Sequence, residues 1–234
     1  REHFPHFLPI VGIGVVGRQM AAGGKAHDCH LIRIAMPLLC VGINQLHGRR
    51  NLPQHDYATY CTFVGNGIMR LVERALPEEL RTPEVVAAAR ADFLAYYIEH
   101  IDCKTCPYAG IPELLAELQE RGVRLAVASN KFQAGTEKLI RSYFPEIRFE
   151  AVFGQRPEVP LKPDPAVVEE ILALTGVARE EVLYVGDSGV DMRTALAAGV
   201  RSVGVTWGFR SREELIETGA MHLADRADEI LKLL

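Results

Sequence analysis

The sequence has few cysteines, no long apolar run and no large excess of either charge, and each shortage excludes a class of function. Its five cysteines are odd in number and irregularly spaced, so they frame no set of disulfides and fit a reduced, cytoplasmic chain. One pair, "CKTC" (Cys103 to Cys106), has no second pair or histidine pair at finger spacing, which favours a plain linker over a zinc or redox site. No stretch approaches the roughly 18 apolar residues that span a bilayer. "FLPIVGIGVVG" (Phe7 to Gly17) has the length of a signal-peptide core, but two histidines and a glutamate precede it where a basic segment is needed. With 26 basic and 30 acidic residues, a net charge of −4 and scattered Lys and Arg, there is no basic field for nucleic acid. The expected partner is a small metabolite, with no nucleic acid and no membrane, and the chain is expected as a monomer or homodimer.

What is present is apolar material for a full core: 48% of 234 residues are hydrophobic, enough for one domain with a smaller insert. From Pro112 onward the pattern alternates. "PELLAELQERG" puts Leu114, Leu115 and Leu118 on one helical stripe before Gly122, and "VRLAVAS" follows as a buried strand. "TEKLIRSYF", "PAVVEEILALTG" and "VDMRTALAAG" read as helices, while "FEAVFG", "EVLYVGD" and "RSVGVTWG" read as strands. "SREELIETG" reads as a helix with Ser211 as N-cap and Glu214 completing a capping box. Alternation of this kind implies crossover units, hence a doubly wound parallel α/β sheet whose site lies beyond the carboxyl ends of the strands. Residues 44–108 break the pattern. "GIMRLVERAL" and "PEVVAAARADFLAYYIEHI" are helical, the latter with Val85, Val86, Ala89, Phe93 and Tyr97 on one face, and no strand separates them. The predicted organisation is a Rossmann-like core, 1–43 and 109–234, with an inserted helical cap, 44–108. The first forty residues show no clean strand followed by a turn.

Three strand ends carry residues suited to chemistry. "AVASNK" offers Ser129 and Asn130, "VPLKPDP" offers Lys162, and "YVGDSGVD" offers Asp187 and Asp191. Singly, each has a plain reading: Ser129, Asn130, Asp187 or Ser188 as helix caps, and Lys162 as a solvated lysine. Together they are a constellation. Two carboxylates about 4 Å apart repel by roughly 4 kcal/mol at an effective dielectric near 20, so their gathering calls for a cation. Mg²⁺ takes one or two carboxylates plus waters and substrate phosphate. A hydroxyl and an ammonium nearby suit a phosphate ester.

Ser129 after a strand, Lys162 in "LKPDP" and "GDSGVD" resemble the second, third and fourth motifs of the haloacid dehalogenase-like hydrolases, in order and at similar spacing. The insert, with "TFVGNGIMRLVERAL" (Thr62 to Leu76), is similar to the helical cap of the phosphoglycolate phosphatase branch. That resemblance implies a Mg²⁺-dependent phosphatase acting on a small monoester such as 2-phosphoglycolate through an aspartyl-phosphate. It implies Asp187 and Asp191 at the metal, Asp187 as the ligand and Asp191 holding Lys162 or a metal water. Ser129 would bond the phosphoryl group, Lys162 would offset its charge, and Asn130, Gly65, Asn66 and Gly67 would face the substrate. The family's nucleophile lies in a first-strand D-x-D-G-T motif, which does not occur here. Spacing back from Gly65 puts Asp28 at the nucleophile's position and His30 at that of the acid and base.

Three accounts of this departure stand. The protein is a phosphate-binding homologue without turnover; His30 replaces the acid; or residues 1 to about 38 are not in the natural reading frame, the preferred account because the likeness fails abruptly. A remote alternative, a dinucleotide-binding oxidoreductase, rests on "GIGVVG" (Gly12 to Gly17), but no helical stripe and no acidic residue about 20 positions later support it. "HDCH" (His27 to His30) reads as a loop cluster rather than a metal site.

Overall fold

The computed structural model describes residues 8–13, 32–33, 43–44, 48, 52–56, 59, 63, 67–101, 106–208 and 210–234. The chain divides into two compact units, one holding 8–13, 32 and 107–234, the other the described residues between 33 and 106. By contact, the change of unit falls at Cys106/Pro107, beside the 108/109 boundary read from the sequence. Ile43 and Asn44, on either side of the other boundary read from the sequence, both fall in the second unit.

The first unit is built on strands β1 (Leu8–Ile13), β4 (Leu125–Phe132), β5 (Phe149–Gln155), β6 (Val182–Gly186), β7 (Arg201–Val205) and β8 (His222–Ala224). They form one sheet in the order β5-β4-β1-β6-β7-β8, with every ladder parallel. Its helices are α3 (Ile111–Glu120), α4 (Gln133–Tyr143), α5 (Ala166–Thr175), α6 (Gly189–Ala197) and α7 (Arg212–Glu217). β4 is buried from Leu125 to Ser129 and β6 throughout, the near-continuous apolar signature of strands covered on both faces. Against them pack Val167, Val168, Ile171 and Leu172 of α5 and Ala195 and Ala198 at the end of α6, meeting Ala126, Ala128, Val182 and Tyr184. Each large aliphatic side chain buried there contributes roughly 1.5–3 kcal/mol. Gly176 and Gly199 end their helices with φ of 68° and 65°, a left-handed turn that only glycine takes without strain.

β1 corrects the reading of the first forty residues. "LPIVGI" is a strand at the centre of the sheet, between β4 and β6. A central parallel strand has no alternation to display, and the glycines inside and after it blur the apolar run. Its register places Ile13 opposite Ser129 and Val11 opposite Val185, so its carboxyl end is level with the candidate site. α7 also differs in one detail. Ser211 accepts from the Glu214 backbone N–H, but the Glu214 carboxylate accepts from the N–H of Gly189 at the start of α6 instead of closing the box.

The second unit contains α1 (Gly67–Ala75) and α2 (Pro83–His100). Thr82 caps α2 by accepting from Val85 N–H, with Pro83 in the first turn, where a missing N–H is harmless. Leu71, Val72, Val86, Phe93, Tyr97 and Ile101 are buried, and the Phe93 and Tyr97 rings stack at 5.3 Å. Val85 and Ala89, on the predicted stripe, are half-buried. Short strands β2 (Ile32–Arg33) and β3 (Cys106–Pro107) pair with each other. Among the described residues no helix is long and apolar enough to cross a membrane.

Candidate active site

The carboxyl ends of β4 and β6 and the loop before α5 converge in the first unit. After β6 the chain turns at Asp187 and Ser188 into α6. Ser188 is the N-cap: its hydroxyl oxygen accepts from Asp191 N–H at 3.3 Å and donates to Asp191 Oδ2 at 2.6 Å. This reciprocal pair fixes the Asp191 rotamer and satisfies an orphan donor of the first turn. Gly186 makes room for it, since a Cβ there would lie 2.3 Å from Asp191 Cβ.

The lysine loop is fastened to β4 by Asn130. The Asn130 amide donates to the Lys162 carbonyl at 3.0 Å, and its Oδ1 accepts from Lys162 N–H at 2.9 Å. The sequence predicts Asn130 as a substrate contact; in the structure one amide N–H and the Oδ1 hold the lysine backbone, so it clamps that loop. Arg156 secures the same loop, paired with Glu170 at 2.7 and 2.6 Å and lying 4.1 Å over the Phe153 ring. Neither Ser129 nor Asn130 caps α4, which starts after Phe132. Ser129 Oγ instead accepts from Lys131 N–H at 3.1 Å.

At the centre is a buried charge pair. Lys162 Nζ donates to Asp191 Oδ1 at 2.7 Å, to the Ala128 carbonyl at 3.1 Å and to Tyr184 Oη at 3.3 Å. Tyr184 Oη in turn donates to Asp191 Oδ1 at 3.3 Å. Burial by itself would raise the Asp191 carboxyl, but the Lys162 ammonium, aided by hydrogen bonds from Lys162, Ser188 and Tyr184, holds it below the ordinary carboxylate value. Burial first, then the neighbouring Asp191 charge, pushes the Tyr184 phenol well above its ordinary value, so it stays protonated. The sequence predicts Asp191 as a metal ligand or as the partner of Lys162. Its Oδ1 accepts from Lys162 and Tyr184 and its Oδ2 from Ser188, so the structure shows Asp191 as the partner of Lys162.

Asp187 is also buried, at 2% exposure, and the loop after β7 closes on it. A Cβ on Gly208 would lie 2.3 Å from Asp187 Cβ and 2.7 Å from its Oδ2, so only glycine can pass there. Among the described residues no three His, Cys, Asp or Glu side chains converge on one point. A single carboxylate is nevertheless a fitting donor set for Mg²⁺, which fills its octahedron with waters and substrate phosphate. Lys131 is a further buried cation in the first unit; burial pushes its ammonium down to about 7.

Residues 38–205 match the model of the haloacid dehalogenase-like hydrolases. The chain belongs to that family. A phosphoglycolate phosphatase of Pectobacterium atrosepticum is 32% identical over 204 residues, covering 85% of this chain and 86% of its own. One from Mesorhizobium japonicum is 34% identical over 178 residues, covering 75% and 78%. The crystal structure of a candidate phosphoglycolate phosphatase from Lactobacillus delbrueckii superposes with a TM-score of 0.77 at 25% identity, covering 98% of each chain. The family match begins at residue 38 and ends at 205.

Of the predicted site residues, the structure brings Lys162, Asp191 and Asn130 into direct contact, with Ser129 next in the chain to the Ala128 carbonyl and Asp187 one residue before Ser188. Asp28, His30, Gly65 and Asn66 lie outside the described residues, and Gly67 opens α1 in the second unit. Sequence reasoning misses Tyr184. Its only signal is a phenol inside the otherwise aliphatic strand "VLYVG", since a buried hydroxyl needs a polar partner.

Proposed function

We propose that this member of the family hydrolyses a small phosphate monoester of the 2-phosphoglycolate kind with Mg²⁺, through an aspartyl-phosphate. The observation that carries the reading is a buried ammonium, Lys162, held by Asp191 at 2.7 Å and bonded to the carbonyl that precedes Ser129. In that position Lys162 offsets the charge of a phosphoryl group and Ser129 Oγ donates to one of its oxygens. Asp187 would hold Mg²⁺, which when bound neutralises phosphoryl charge. β1 offers no carboxylate between Leu8 and Ile13, so the attacking group comes from elsewhere in the chain, and Asp28 is the candidate. The substrate class is supported by the relatives named phosphoglycolate phosphatase. A cytoplasmic monomer or homodimer taking a phosphorylated metabolite completes the reading.

The test is phosphate release from p-nitrophenyl phosphate and 2-phosphoglycolate, with and without Mg²⁺. Release should require the metal and vanish in D187N. Loss of a covalent nucleophile in D28N should remove on the order of 10⁴- to 10⁶-fold of rate. Metal-independent release that survives D187N refutes the reading; unchanged release in D28N refutes Asp28 alone.

A further inference from the structure

A lysine ammonium has three protons and no more, and in this structure Lys162 spends all three inside the protein, on Asp191 Oδ1, the Ala128 carbonyl and Tyr184 Oη. A phosphoryl oxygen can be bonded only if one of these partners lets go. The three are not equivalent. Asp191 is charged, and its contact is the shortest at 2.7 Å. Ala128 belongs to β4, whose backbone is tied into the ladder opposite Gly12, so its carbonyl stays in place. Tyr184 is neutral and sits at the longest distance, 3.3 Å. Its oxygen has a second bond, donated to Asp191 Oδ1, which it keeps when the lysine turns away. Tyr184 and Asp191 are 0% exposed, while the Lys162 side chain keeps 3%.

We propose that the Tyr184 hydroxyl is an internal stand-in for a phosphoryl oxygen: it accepts the third Lys162 N–H and yields it when phosphate binds. The proposal rests on the reading that Ser129 and Lys162 bind phosphate. Tyr184 is therefore a positioning residue that acts through Lys162, and its hydroxyl competes with the ligand. Removing that hydroxyl should strengthen binding, the opposite of what loss of a merely structural contact would do.

The experiment compares the full-length wild type, Y184F and S129A by calorimetric titration with inorganic phosphate, and by steady-state kinetics. Y184F should bind phosphate about two- to tenfold tighter, the scale of one hydrogen bond no longer exchanged, and its KM should fall. Its melting temperature should be lower than the wild type's without phosphate, and the gap should narrow at saturating phosphate, the lost Tyr184–Asp191 bond accounting for what remains. Binding that is unchanged or weaker in Y184F, while S129A weakens it, overturns the proposal and leaves the phosphate reading intact. Wild-type binding indifferent to S129A overturns the reading, and the proposal with it. Should Y184F fail to fold, wild-type protein carrying 3-fluorotyrosine gives the answer: phosphate must shift a buried fluorine resonance, and the absence of any such shift overturns the proposal.

Discussion

Replacing Asp191 by asparagine probes the electrostatics of the site, because the side chain keeps its shape and loses its charge, with one acceptor oxygen exchanged for an NH2 donor. In the wild type the Lys162 and Asp191 side chains are 3% and 0% exposed and 2.7 Å apart. Taking the charge from one partner strands the other in a medium that solvates it poorly, a loss of about 3–5 kcal/mol. The effect has a defined pH signature. The folded Asp191 carboxyl titrates below its ordinary value of 3.8, so the unfolded chain takes up its proton first as the pH falls. The pair's contribution is therefore complete above roughly pH 4 and is lost as the pH drops through the lower, folded value. The gap between wild type and D191N should be level from pH 7 to 5 and should narrow below about pH 4. Urea denaturation followed by the fluorescence of Trp207, the sole tryptophan, reads the first unit directly. A gap under about 1 kcal/mol at pH 7, the scale of an exposed ion pair, or one that stays constant down to pH 3, would refute the argument.

Further outcomes follow from other contacts. G208A should weaken Mg²⁺ binding, read as the metal-dependent change in Trp207 fluorescence, because the added Cβ collides with Asp187 at 2.3 Å. N130A unfastens the Lys162 backbone by removing both clamp bonds, and should lower stability by about 1–3 kcal/mol in thermal melts while reducing kcat more than a distant surface substitution does. K131M should stabilise the protein at pH 6 by a few kcal/mol. The gain should shrink between pH 7 and 10, because burial holds the folded lysine at about 7 and the unfolded lysine keeps its proton until near 10.

Much of the α/β unit is legible in the sequence because each element agrees with its neighbours. Leu114, Leu115 and Leu118 form one buried stripe, glycine ends the helices, and buried strands show as apolar runs. The site residues on strand ends are legible for the same reason: a parallel sheet gathers them at one edge. What the sequence hides is the use of individual atoms. Asn130 has the polarity of a ligand, and nothing in "SNK" shows that its side chain clamps the Lys162 backbone. Asp191 reads as a bare carboxylate, and nothing in the sequence shows that Ser188, Lys162 and Tyr184 all bond to it. β1 escapes notice because glycine lowers its strand signal, while the partners that make it a strand lie far along the chain.

That last feature bears on how the molecule comes together. Ile10 pairs with Ala126 on one side and Tyr184 on the other, so residues near the start of the chain must wait for partners more than a hundred positions later. Such long-range closure slows folding. Until β1 docks, β5-β4 and β6-β7-β8 are separate blocks with open inner edges, each a template for a neighbouring chain. Damage confined to 8–13 would accordingly show first as poor yield and aggregation during refolding.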